Sequence, residues 1–216
     1  MKNVFSLILL SFLLFTSSQA LLAQQKAVRI AVVPCTIDDL GRGSQFLTTE
    51  EILQLERGLS FSLQRELYDH LLDQIDQKHG NALEVQALTE TNTLLELSGI
   101  SLQESWQQTV PQLAIVLNVD VILKVEVRYQ VGHASQIAGT FNRPHTIPCD
   151  DGLMLSPERT FLRARLVEAS SGLPLWNTRN NDWVSKGRKN EVIARRIVGE
   201  LSPSLPAVVH FYAQDK

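Results

Sequence analysis

Cysteine occurs only twice in the 216 residues, at Cys35 and Cys149, and never as a C-x-x-C pair. There is no H-E-x-x-H and no compact histidine pair, so a zinc site of ordinary spacing is excluded. GRGS, Gly41 to Ser44, is not a phosphate loop, because no G-x-x-x-x-G-K-[ST] surrounds it. No serine stands in G-x-S-x-G. Positive charge is scarce as well: 20 Lys and Arg face 23 Asp and Glu, a net charge of −3. A mildly acidic chain does not replace the counterions of a nucleic acid. No residue set amounts to a catalytic signature, and no cofactor or resident metal is expected. Repeats and low-complexity tracts are absent too.

What is present begins at the N-terminus. Lys2 precedes one uninterrupted apolar run, Val4 to Phe15, followed by small residues at Ser18, Ala20 and Ala23. Basic start, apolar centre and small-residue site make a secretory leader, residues 1–23, cleaved after Ala23 or alternatively after Ala20. The run is short for a bilayer span; an uncleaved anchor is the competing reading. No cysteine stands at the cleavage site to carry a lipid, so the mature chain is expected to be exported and not lipidated. No later run is long enough for a second membrane segment. Loss of Lys2 leaves 19 basic residues against 23 acidic ones, a net charge of −4.

Residues 24–216 have the composition of one globular domain, the whole chain being 44% apolar and 20% charged. AVRIAVVP, Ala27 to Pro34, reads as a strand buried on both faces. A polar loop, CTIDDLGRGSQ, is expected after it. Thr48 and Glu51 form a capping box. Leu55, Leu59, Leu63, Leu67, Leu71 and Ile75 then mark one stripe of a long helix, with Gly58 a soft spot inside it. A short strand at Val85 to Leu88 is followed by a helix closed at Gly99. Ser101 and Glu104 make a second capping box. Pro111 either kinks the following helix or opens a new one. Val119 to Val131 and Thr160 to Ala169 read as long strands, and Leu173 to Ser185 as the partner of the latter across a Ser170-Ser171-Gly172 turn. Trp176 is expected to pack against a neighbouring strand or helix. Asn190 to Leu201 is an amphipathic helix, stopped at Ser202-Pro203. The order predicts an α/β fold: a layered, mixed sheet with parallel strands, a C-terminal antiparallel hairpin and packing helices.

Four pieces carry a resemblance: the first strand ending at Pro34, LEVQALTETNTLLEL, QLAIVLNVDVILKVEV and LVEASSGLPLW. Together they resemble the CsgG, LpoB and TolB-N-terminal-like group of cell-envelope proteins, over roughly Val28 to Leu201. In that group the third piece usually reads lGAD-vv-G-v and the last lvda-tG-vlW. Asn118-Val119-Asp120 replaces Gly-Ala-Asp, and Lys124 replaces a Gly. The resemblance implies a non-enzymatic exported protein, in the periplasm or associated with the outer membrane, acting through contacts with other envelope proteins or as a homo-oligomer. The lipidated cysteine is missing, and so are long amphipathic segments for a membrane barrel.

One irregular stretch, Gly132 to Pro157, is long for a connection and is therefore a candidate binding surface. If the first and third long strands run parallel, Cys35 and Cys149 share one sheet edge. A disulfide between them is then expected, two buried thiols being the alternative. The same edge gathers the candidate partner-binding residues Asp38, Asp39, His133, Phe141, Arg143, His145, Asp150 and Asp151. Cys, His and carboxylates there also allow an alternative from another class, a secreted metal- or thiol-dependent enzyme. Arg195-Arg196, with Lys186, Arg188 and Lys189, is a small basic cluster, read as a solvated helix face or as a contact for an acidic partner.

Overall fold

The structure is a computed structural model that describes residues 27–38, 48–78, 82–131, 147–148, 154–155, 157–178 and 190–214. The expected leader lies outside the described residues. The fold is α/β, built on a mixed sheet. Strand β1 (Val28–Val32) leads to β2 (Thr36–Asp38), helix α1 (Thr49–Lys78), β3 (Leu83–Val85), and helices α2 (Leu88–Leu97), α3 (Leu102–Gln107) and α4 (Val110–Leu117). The long strand β4 (Val121–Val131) follows, then the small pair β5 (Ile147–Pro148) and β6 (Met154–Leu155), and the hairpin β7 (Pro157–Glu168) and β8 (Pro174–Asn177). The chain closes with α5 (Asn190–Leu201), a 3-10 turn (Ser202–Ser204) and α6 (Leu205–Gln214). The sheet runs β3-β1-β4-β7-β8, and β2 also pairs with β4. Strands β3, β1 and β4 are mutually parallel; β7 and β8 are antiparallel additions.

The polar loop expected after Pro34 is in part a strand. Val32 pairs with Leu123 and Thr36 with Glu126, so four steps on one side meet three on the other. One extra residue is therefore absorbed at Val33 to Cys35, around a proline that has no N–H to give the ladder. The bulge is supported from α1. Ser60 Oγ donates to the Cys35 carbonyl (2.7 Å) and Gln64 Nε2 to the Val32 carbonyl (2.8 Å), one turn apart on the same helix. Both side chains are buried, and each meets a backbone group that would otherwise be stranded.

Helix α1 starts as its capping box predicts: Glu51 N–H donates to Thr48 Oγ1 (3.2 Å), and Thr48 N–H to Glu51 Oε2 (2.7 Å). Its leucine stripe is buried along its length. The second strand lies at Leu83–Val85 rather than Val85 to Leu88, because Leu88 already opens α2. Gly99, at φ +69°, ends α2, with Ile100 N–H bonded to the Leu95 carbonyl and Gly99 N–H to that of Glu96 (both 2.9 Å). At Pro111 the chain takes the second of its two options. Gln108 is extended, and α4 is a new helix with proline in its first turn. The C-terminus also corrects the sequence reading. Ser202-Pro203 does not stop the chain; it forms a 3-10 turn into α6, since proline is tolerated in a first turn.

Two apolar layers result. On one face, Ile30, Val32, Leu123, Val125, Val127, Leu162, Ala164 and Leu166 meet α1, α5 and Leu205 and Val208 of the C-terminal helix. On the other, Ala31, Val33 and Ile122 meet Leu95 of α2 and Leu113, Ala114 and Leu117 of α4. The half-buried Trp176 packs against the first layer, as expected. No helix among the described residues is long and apolar enough to cross a membrane.

Candidate protein-binding surface

Because β1, β2 and β4 are parallel, the end of β2 and the end of β4 do share one edge. Asp38 sits there, its Oδ2 3.1 Å from a terminal nitrogen of Arg128 and 3.2 Å from its Nε. The other expected partner-binding residues, Asp39, His133, Phe141, Arg143, His145, Asp150 and Asp151, lie outside the described residues. So does Cys149. Cys35 departs from the expectation: it is a free thiol, fully enclosed in the α1-facing layer. The bulge turns its side chain into the core, so the structure has no disulfide at Cys35. Burial pushes that thiol well above its ordinary pKa, which leaves it protonated at neutral pH and without nucleophilic character.

The opposite end of the sheet carries a groove that the sequence did not announce. Glu168, the last residue of β7, turns its carboxylate onto the hairpin loop. It accepts hydrogen bonds from Ser170 N–H (3.0 Å), Ser171 N–H (2.6 Å) and the Ser171 hydroxyl. Burial raises its pKa, but the hydrogen bonds from Ser171 and Ser170 outweigh burial and bring it down to about 2. Gly172 takes φ +72°, as a tight turn demands, and lies against the Pro111 ring, 3.7 Å from where a Cβ would stand. The turn is thereby docked on α4.

Asp120 ties the same region together. Its side chain accepts from Arg29 N–H (2.9 Å), and its carbonyl accepts from Ala169 N–H (2.9 Å) and the Tyr212 hydroxyl (2.6 Å). Asn118 adopts φ +52°, the left-handed conformation, which accounts for the asparagine where the related pattern has glycine. Between α4, the turn and Tyr212 lies an open cavity of about 630 Å³, lined by Pro111, Ala114, Ile115, Val119 and Ala169 with Asp120, Glu168, Ser170 and Tyr212. Ile115 is 82% exposed. The signal for it was present in VPQLAIVL: Leu113, Ala114 and Leu117 fill the buried stripe, and Ile115 falls off it.

Arg195 pairs with Glu191 and Arg196 with Glu200, each one turn along α5, the arrangement of a solvated helix face. Lys186, Arg188 and Lys189 lie outside the described residues.

No protein-family model matches the chain, and no curated protein matches it. Among solved structures it is similar to lipoprotein GNA1162 from Neisseria meningitidis, at 12% identity and a TM-score of 0.42, over 83% of this chain and 96% of that one. It is similar to the LpoB C-terminal domain from Salmonella enterica at 12% identity and 0.33, over 74% and 87%. It is also similar to PelC from Paraburkholderia phytofirmans, described as a dodecamer, at 14% identity and 0.37, over 83% and 90%. The likeness to CsgG and TolB expected from the sequence is not shown by these neighbours. Nor do they support the expectation of an unlipidated chain, since one of them is named a lipoprotein. Similarity at this level leaves the function of the chain to its own residues.

Proposed function

We propose that the mature chain is a non-enzymatic, exported protein of the cell envelope, periplasmic or associated with the outer membrane, that works by holding another protein. The leader-like N-terminus and the four resembling pieces support the compartment. The observation that carries the binding role is Ile115, a large apolar side chain standing in solvent over a cavity of apolar walls. Asp120 and Glu168 add negative charge to that cavity, which has no basic lining residue. Its best occupant is an apolar segment of another protein with a lysine or arginine beside it.

Ile115→Asp, compared with the unchanged protein, should lose a cross-linked partner identified from an envelope extract, while the thermal transition stays where it was. Retained cross-linking would end the groove reading. The second candidate surface is the edge formed by Gly132 to Pro157 with Asp38 to Gln45. Removal of Ala134 to Pro148 tests it in the same assay. Sedimentation of the purified chain distinguishes a second copy of itself as the occupant. An intact mass reports the cleavage site and any lipid.

A further inference from the structure

Above Ile122 the second face of the sheet has no helix over it among the described residues. Its side chains are charged: Lys124, Glu126 and Arg128 from β4, Arg163 and Arg165 from β7, and Asp38 from β2. The register sets them against one another. Glu126 lies across from Arg163 and Asp38 across from Arg128, but Lys124 lies directly across from Arg165. Like charges placed opposite each other weaken a strand pair. Lys124 is partly compensated, its Nζ donating to the Trp106 (2.9 Å) and Gln108 (3.1 Å) carbonyls at the end of α3. Even so, its pKa is lowered, first by burial and then by the charge of Arg165, with Glu126 opposing. Arg165 is exposed and has no hydrogen-bonding or ion-pair partner among the described residues. Arg163 is 51% exposed, its contact to Glu126 a loose 3.8 Å. Four cations thus share a face with two carboxylates, on a chain whose net charge is −3.

We infer that this open face, centred on Arg163 and Arg165, docks an extended acidic segment of another protein. Alternate residues of a strand stand about 6.6–6.8 Å apart, the same repeat as alternate side chains of an extended peptide. Carboxylates spaced in that way meet both guanidinium groups and relieve the Lys124–Arg165 repulsion. A uniformly anionic surface, membrane or nucleic acid, fits less well. Asp38 and Glu126 would repel it, and the Lys124 ammonium is drawn back onto α3. The inference is independent of the groove at the other end of the sheet.

The test uses labelled hexaglutamate as probe, at low ionic strength, with anionic phosphatidylglycerol vesicles alongside. Arg163→Glu/Arg165→Glu should weaken hexaglutamate binding at least about tenfold, because rim charges govern such encounters. Arg195→Glu/Arg196→Glu, the same charge change on α5, should leave it unaltered. Arg165→Glu alone should raise the melting temperature by about 1–3 °C, since a carboxylate then faces Lys124. Should the double β7 variant fold poorly, Arg165→Ala provides the binding comparison. Equal binding by the β7 and parent proteins overturns the inference, as does equal weakening by the α5 variant, or binding to vesicles and not to peptide. Binding that requires Asp150→Asn/Asp151→Asn also overturns it, because the chain's own loop would then be the occupant.

Discussion

Along β4, Leu123, Val125 and Val127 point to one face of the sheet and are essentially removed from solvent beneath the helices. Their neighbours on the other face change character partway: Ile122 is fully buried, while Lys124, Glu126 and Arg128 step outward. The two faces differ in how far helices reach. Helices α1 and α5 run the length of the first, whereas α2 and α4 cover only the beginning of the second. Where coverage stops, packing no longer dictates the residue. A charged ladder with an unresolved like-charge pair is therefore unlikely material for stability and suitable material for recognition.

The comparison breaks most sharply within one strand. Leu166→Ala should cost about 2–5 kcal/mol, because it leaves a void under α1 and α5. Its neighbour Arg165→Ala should change stability by less than about 0.5 kcal/mol. Denaturant unfolding measures both, and similar costs would dissolve the distinction between the faces. Gln86 sharpens it at the level of hydrogen bonds. Its Nε2 donates to the Leu117 carbonyl (2.8 Å), and its Oε1 accepts from the Thr91 hydroxyl (2.8 Å), all buried. Gln86→Leu should cost about 1–3 kcal/mol through the carbonyl and hydroxyl left unpaired.

Glu168 follows in size. Its folded pKa, about 2, lies below the ordinary carboxylate value, so its contribution is complete above about pH 4.5 and fades as pH falls toward 2. Glu168→Gln should lower stability by about 1–2 kcal/mol at neutral pH and flatten the acid limb of the stability profile. A profile unchanged by the substitution would mean that the turn is held by Gly172 and Pro111 without it. The smallest effect is expected at Gly58, where a Cβ would meet nothing within 4 Å. Gly58→Ala should add up to about 1 kcal/mol.

The periodic parts were legible. The α1 stripe, both capping boxes, the Gly99 stop and the Ser-Ser-Gly turn depend on neighbours within a few residues, and each stands where the sequence put it. The errors came where a distant element decides. Thr36–Asp38 looks like loop because its strand partner is some 90 residues away in β4. Cys35 looked like half of a disulfide because export and an even count favour pairing; the bulge, supported by Ser60 and Gln64, turns it inward instead. Ser202-Pro203 looked like a stop because proline ends helices as readily as it begins them. At the candidate groove, the lone off-stripe Ile115 was visible in the sequence, but nothing local placed Glu168, Asp120 and Tyr212 beside it.

The sequence by itself determined what short-range physics controls: the leader pattern, the helices and their caps, the hairpin turn, and the mixed α/β class. The tertiary structure alone decided which carbonyls the bulge exposes and α1 satisfies, which end of the sheet opens into a groove, and that Lys124 faces Arg165. Those outcomes depend on register and on where helices run out. Both are settled by pairing between residues far apart in the chain, which no local pattern encodes.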